Sequence, residues 1–302
     1  MRNAAEEAAK AGCRDAEEDM QQEKAEKRSY CGLLQWGIGA LKAQEITEAA
    51  SDAWILLEHV TGIDRTHYFL KMTESCPKEA AESYRELIGR RAQHMPVQYL
   101  TGEQDFMGYS FRVNEQVLIP RQDTELLVLE AEKKIRPGAA VLDMCTGSGC
   151  IIISLAKRCR ISAFAADISE GALAVAQENA AALQADVAFI KSDLFEAVEG
   201  KYDCIVSNPP YIASGEIPRL MPEVRDYEPI TALDGSADGL RFYRRIAADA
   251  KKFLKPGGWV FCEIGFDQGK TVPEIFEKEG YQEIIVKKDL AGLPRVVTAR
   301  LC

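Results

Sequence analysis

Beyond residue 139 the chain alternates short strand-like apolar runs with helical segments, and this alternation narrows the possible folds more than any other feature. The runs are Ala140 to Met144, Ala163 to Asp167, Val187 to Lys191, Asp203 to Ser207 and Trp259 to Ile264, with helical segments between them. Alternation of strand and helix implies a parallel sheet covered on both faces, with right-handed crossovers. Two further runs, Glu283 to Lys287 and Val296 to Leu301, are joined only by Lys288 to Arg295. So short a connection predicts an antiparallel pair. The expected fold class is α/β, a Rossmann-like sheet of seven mostly parallel strands.

The chain before this sheet reads differently. Leu33, Leu34, Ile38 and Leu41, then Ala53, Trp54, Leu56, Leu57 and Val60, then Tyr84, Leu87 and Ile88 recur at helical spacing. Gly62 suits the end of the second helix, Asp64 the cap of a third and Pro77 the first turn of the last. In Phe106, Tyr109, Phe111 and Val113 the pattern becomes that of a short hairpin. Four segments are expected: a disordered or frayed extension over 1–28, a small all-helical domain over 29–95, a linker with a hairpin over 96–122, and a catalytic domain over 123–302.

The first strand runs into a glycine turn and an apolar helix, through Asp143-Met144-Cys145-Thr146-Gly147-Ser148-Gly149-Cys150. Glycines there let the backbone turn tightly against a ligand, and the helix start offers free N–H groups. The turn lacks the Lys and Ser/Thr of a phosphate-binding loop, and Asp143 would repel phosphate while attracting a sulfonium. Asp167 ends the second strand, where this fold places an acid on the ribose hydroxyls, although a helix cap over Asp167-Ile168-Ser169 is the plainer reading. Ser192-Asp193-Leu194-Phe195 ends the third and suits an adenine edge and face. S-adenosylmethionine fits all three parts; a dinucleotide, with its pyrophosphate, fits Asp143 poorly.

After the fourth run comes Asn208-Pro209-Pro210-Tyr211. Two prolines stiffen this segment and remove backbone donors, so it offers acceptors. The Asn208 side-chain oxygen and the Pro209 carbonyl can each take a hydrogen bond from a planar NH2 group, with Tyr211 packed on the flat group that carries it. Such a site aims a nitrogen lone pair at a methyl donor. The alternative is an ordinary proline turn.

Composition excludes several other classes. A net charge of −10 and scattered Arg90-Arg91, Arg244-Arg245 and Lys287-Lys288 pairs, read as solvated faces, argue against a duplex nucleic-acid track. Nine cysteines show no metal spacing and read as reduced thiols. No apolar run is long enough to span a bilayer, and the N-terminus lacks a signal peptide's centre, so a cytoplasmic location is expected. His59, His67 and His94 all precede the expected catalytic domain, so neither a histidine base nor a metal is expected.

The chain closely resembles the peptide chain release factor glutamine methyltransferases, the PrmC/HemK family. The resemblance rests on Pro96-Val97-Gln98-Tyr99-Leu100-Thr101-Gly102, Leu118-Ile119-Pro120-Arg121-Gln122-Asp123-Thr124-Glu125, the glycine turn and Asn208 to Tyr211. It continues through Tyr227-Glu228-Pro229, Asp238-Gly239-Leu240, Glu263-Ile264-Gly265, Asp289-Leu290-Ala291-Gly292 and Arg295-Val296-Val297. Gln122 departs from the usual proline, and Met1 to about Arg28 precedes the usual start. The resemblance implies a class I S-adenosylmethionine-dependent methyltransferase that methylates N5 of the glutamine in a release factor's Gly-Gly-Gln loop, leaving S-adenosylhomocysteine. It also implies that the helical domain helps recognise the release factor. A monomer without direct nucleic-acid binding is expected. Phe106, Arg121 and Glu125 are candidates for the wall around the glutamine, against readings as a core aromatic and a structural Arg–Glu pair. The competing functions are methylation of a nucleic-acid exocyclic amine and nonenzymatic cofactor binding.

Overall fold

The computed structural model describes residues 28–302, so the expectation for the N-terminal extension lies, except for Arg28, outside the described residues. The chain divides into two compact units, with the division between Thr101 and Gly102.

The first unit is helical. Its helices are α1 (Tyr30–Lys42), α2 (Ala49–Thr61), α3 (Arg65–Lys71), α4 (Lys78–Arg91) and the short α5 (Val97–Thr101). Gly62 closes α2 with a φ of 66°, and the Asp64 carboxylate caps α3 by accepting from the His67 N–H at 2.8 Å. Pro77 stands one residue before α4, in the cap position itself and not in the first turn. Leu33, Leu41, Leu56, Leu57, Tyr84 and Ile88 form the core, as their helical spacing requires. Within it Arg91 donates to Asp52 at 2.7 Å, both side chains being almost fully enclosed.

The stretch between the helical and α/β patterns is shared. Its beginning forms α5 in the first unit, whereas β1 (Glu103–Phe106) and β2 (Tyr109–Arg112) form a hairpin in the second. That hairpin is tied down by a residue far along the chain: Asn179 accepts from the Arg112 N–H at 2.7 Å and donates to the carbonyls of Arg112 and Ser148.

The second unit continues with α6 (Glu125–Glu132), β3 (Ala139–Met144), α7 (Cys150–Arg158), β4 (Ile161–Asp167), α8 (Glu170–Ala182), β5 (Val187–Lys191) and β6 (Tyr202–Ser207). Two short helical turns follow, α9 (Pro222–Arg225) and α10 (Ile230–Leu233), and then α11 (Arg241–Asp249), β7 (Leu254–Glu263), α12 (Thr271–Lys278), β8 (Gln282–Lys288) and β9 (Pro294–Arg300). The sheet has seven strands in the order β5-β4-β3-β6-β7-β9-β8; β9 is antiparallel to both neighbours and the remaining pairs are parallel. Each expected strand is present. β7 starts well before Trp259, and the register against β6 shifts between Tyr202 and Cys204, so the Lys255-Pro256-Gly257-Gly258 turn-like stretch is absorbed in an irregularity.

Side chains leave a strand on alternate faces, and the two cores follow that rule. Val141, Val206 and Phe261 face α6 and α7, while Leu142, Ile205, Val260 and Cys262 face α11 and α12. Cys150, Cys204 and Cys262 are buried thiols of this unit.

Candidate active site

The chain builds outward from β3 through β4 to β5 and then returns to place β6 on the other side of β3. That reversal opens a crevice at the carboxyl ends of the two central strands. The glycine turn leaves β3 there, and Asn208 leaves β6 beside it. The Ser207 hydroxyl donates to the Met144 carbonyl at 2.7 Å and locks the two strand ends together. A cavity of about 340 Å³ lies over them.

Three residues of the turn have positive φ: Cys145 at 61°, Gly147 at 55° and Gly149 at 79°. A Cβ on Gly147 would meet nothing within 4 Å, so the turn is open on that side, whereas one on Gly149 would lie 2.8 Å from Ile153 Cδ1 and 3.2 Å from Ala176 Cβ. Gly147 therefore gives access, and Gly149 gives close packing of α7 on α8. Thr146, Ser148 and Cys150 line the cavity with Gly147. Burial pushes the Cys150 thiol up to about 12.

Asp143 is completely buried and is not part of the cavity wall; Thr146 Oγ1 donates to its Oδ2 at 2.7 Å. Burial raises its carboxyl to about 7, the nearby Asp167 adds to the rise, and the Thr146 hydrogen bond opposes it. Asp167 does line the cavity. Its two oxygens accept from the Gly147 N–H and the Ser169 N–H, each at 2.9 Å, so it joins the glycine turn to the start of α8 without any ligand. The cap of that helix is Ser169, whose hydroxyl accepts from the Ala172 N–H at 3.1 Å. The helix-cap reading of the segment therefore falls to Ser169, while Asp167 itself faces the cavity.

Asp193 and Leu194 are on the wall, while Phe195 is buried in the core. Asp193 accepts from Arg245 at 2.7 Å, and Arg245 and Phe242 of α11 also line the cavity. Arg245 was grouped with Arg244 as a solvated pair; only Arg244 is exposed, pairing with Asp238. The separation follows from α11, which turns successive residues about 100° apart.

Asn208 and Pro210 reach the cavity, whereas Pro209 and Tyr211 are not part of its wall. Asn208 Nδ2 donates to Thr124 Oγ1 at 3.4 Å, which leaves Oδ1 for another partner. The Tyr211 hydroxyl donates to Glu263 at 3.4 Å, and its backbone carbonyl accepts from Gln268 Nε2 at 3.0 Å. The peptide after Asn208 is thus held from below by the end of β7 and the loop that follows.

Of the three wall candidates, one lines the cavity. Arg121 does so, and it pairs with the buried Glu228, which also accepts from the Ile119 N–H. The expected Arg121–Glu125 pairing is replaced by this long-range one, because Glu125 is occupied elsewhere: it accepts from the Met107 N–H at 2.7 Å and caps the hairpin turn. Phe106 is 1% exposed and packs edge-on against Phe111 with centroids 6.1 Å apart. It occupies the core beneath the hairpin and is not part of the cavity wall. Thr124 and Glu263 bear on Asn208 and Tyr211, yet residue chemistry alone had singled out neither. Their only signal was membership of the Leu118–Glu125 and Glu263–Gly265 motifs.

Comparison with known proteins identifies the family and supports the fold. A model of the PrmC N-terminal domain matches residues 32–102, and one of the methyltransferase small domain matches residues 122–221. A release factor glutamine methyltransferase of Geobacter sulfurreducens is 40% identical over 281 residues, 92% of this chain and 99% of that one. Another, from Clostridium acetobutylicum, is 42% identical over 256 residues, 82% of this chain and 90% of its own length. A solved methyltransferase from Pyrococcus furiosus superposes with a TM-score of 0.51 at 18% identity, covering 70% of this chain and 98% of that one, and so supports the α/β fold. With the glycine turn, Asp167 and Asn208 gathered at one crevice and relatives matched over nearly their whole length, the chain belongs to the release factor glutamine methyltransferase family.

Proposed function

We propose that this protein methylates the side-chain amide nitrogen of the glutamine in a release factor's Gly-Gly-Gln loop, using S-adenosylmethionine. The observation that carries the reading is the Asn208 carboxamide at the cavity, with its nitrogen engaged by Thr124 and its oxygen free to accept. An amide nitrogen is a poor nucleophile because its lone pair is delocalised into the carbonyl. Acceptors on its N–H groups favour the charge that develops as the nitrogen gains a fourth bond.

The residues present suit the cofactor. Gly147 is open, Asp167 offers the cavity a carboxylate of the kind that ribose hydroxyls donate to, and Met144 and Leu194 give apolar wall beside Asp193. When bound, S-adenosylmethionine supplies a methyl group already activated by its sulfonium. The Asn208 oxygen then orients the target nitrogen, with Pro210 beside it on the wall. Positioning alone contributes several kcal/mol, of the order seen for well-oriented reactants. Nucleic-acid amines are the rival substrates, and nothing at the cavity favours them.

Asn208→Ala tests the assignment. Single-turnover methyl transfer to a Gly-Gly-Gln release factor at saturating cofactor should fall by about 10² to 10³, with labelled methyl mapping to the glutamine in the wild type. A variant within a few-fold of wild type, or label appearing on nucleic acid in place of the protein, would defeat the proposal.

A further inference from the structure

A carboxamide can present either end to a ligand, so the neighbours of Asn208 decide whether its oxygen faces the target nitrogen. Nδ2 meets Thr124 Oγ1 at 3.4 Å, a long contact of the kind that tightens when a site fills. A threonine hydroxyl has one proton to give. Where that proton points determines whether its oxygen must accept from Asn208 or donate to it.

Glu263 lies at the end of β7 and is 1% exposed. Its Oε1 accepts from the Tyr211 hydroxyl at 3.4 Å, and its Oε2 makes no close hydrogen bond, which leaves the carboxylate able to draw the Thr124 proton. The Thr124 hydroxyl is foremost among the groups that hold the Glu263 carboxyl down against burial. With its proton turned toward a carboxylate, Thr124 can only accept from Asn208. The end of Asn208 facing it is then the NH2, and the oxygen is turned to the substrate.

We propose that Glu263 and Thr124 are positioning residues that set the polarity of the Asn208 carboxamide through a chain of hydrogen bonds, Glu263 to Thr124 to Asn208. The inference rests on the methyl-transfer reading above, in which Asn208 accepts from the substrate amide. Protonating Glu263 reverses the chain. It then donates to Thr124, Thr124 donates to Asn208, and the Asn208 NH2 confronts the substrate NH2, donor against donor.

The groups facing this carboxyl make such a reversal accessible near neutrality. Burial pushes it up to about 7 and Asp123 adds to the rise; the Thr124 hydroxyl, Arg295 of β9 and the Tyr211 hydroxyl oppose it. Tyr243 of α11 donates to the Glu263 backbone carbonyl at 2.8 Å and fixes the residue from the other side. Because the ionised form orients Asn208 productively, the rate should fall as pH drops through the Glu263 value.

The test is single-turnover methyl transfer to a release factor at saturating cofactor, across the neutral pH range, for wild type, Thr124→Val, Thr124→Ser, Glu263→Gln and Asn208→Ala. Thr124→Val keeps the shape without the hydroxyl and should lose about tenfold or more in rate, with cofactor KM changed less than about twofold; Thr124→Ser should restore the rate to within about threefold. Wild type should show an acid limb with its midpoint near the value for Glu263, and Glu263→Gln, which does not titrate, should lack it. Equal rates for the valine and serine variants, a flat wild-type profile, or an acid limb retained by Glu263→Gln would each overturn the proposal. Asn208→Ala separates the two levels. If it is slow while the valine and serine variants match, the polarity chain alone fails; if it is as fast as wild type, the underlying reading of Asn208 fails.

Discussion

Asp167 ties the glycine turn to α8 before any cofactor arrives, through its bonds to the Gly147 and Ser169 amides. Its loss is therefore felt in both binding and folding. Asp167→Ala should weaken S-adenosylmethionine binding by tenfold or more and lower stability by about 1–3 kcal/mol, the usual effect of removing charge-assisted hydrogen bonds. Calorimetry showing unchanged affinity would remove Asp167 from the cofactor site. Asp143 gives a separate pH signature. Burial raises its carboxyl in the folded protein from 3.8 to about 7, so between those values the native state holds a proton that the unfolded state has released. Stability from this group is fully present below the unfolded value and lost as pH rises through the window. The melting temperature of Asp143→Asn relative to wild type should accordingly climb from about pH 4 to about pH 7 and then level off; a constant difference would show that Asp143 does not titrate there.

At the scale of elements, the two glycines of the turn should respond differently to a single methyl group. Gly149→Ala forces a left-handed residue and drives its Cβ toward Ile153 and Ala176, where α7 meets α8. A loss of about 2 kcal/mol or more in denaturant unfolding is expected. Gly147→Ala carries the conformational strain of about 1–2 kcal/mol without a clash, and its methyl group points into open space on the cavity side. It should weaken cofactor binding more than its stability loss suggests. Equal stability losses in the two variants would contradict the packing role given to Gly149. The turn was legible as a strand–glycine–helix unit because its signals are local: apolar residues, glycines, apolar residues again. Its two kinds of glycine were not, since the difference depends on Ala176, a residue of the next helix.

For the molecule as a whole, the two units have separate cores and should be separable in their energetics. Asp52→Ala removes the carboxylate that pairs with the buried Arg91 guanidinium in the helical unit, and removing one partner of such a pair typically costs about 3–5 kcal/mol. An early unfolding transition should appear while S-adenosylmethionine binding by the α/β unit persists. Joint loss of both in one transition would show that the units unfold together. Read alone, the chain determined the element types, the α/β alternation and the antiparallel final pair, because periodicity and connection length act over a few residues and the solvent-facing pattern repeats them. It also marked Asn208 and Asp167 as neighbours at one crevice, where both line the cavity, since this fold puts strand ends together. What only the tertiary structure decided were the partners: Arg121 with Glu228, separated by 107 residues, and not with Glu125; Asn208 with Thr124, separated by 84; and Phe106 inside the core and not on the cavity wall. Such pairings depend on strand order and on the path of each loop over the sheet, and any of several acids or aromatics at equal local spacing satisfies the sequence pattern. Burial and hydrogen-bond geometry select among them only once the sheet is assembled.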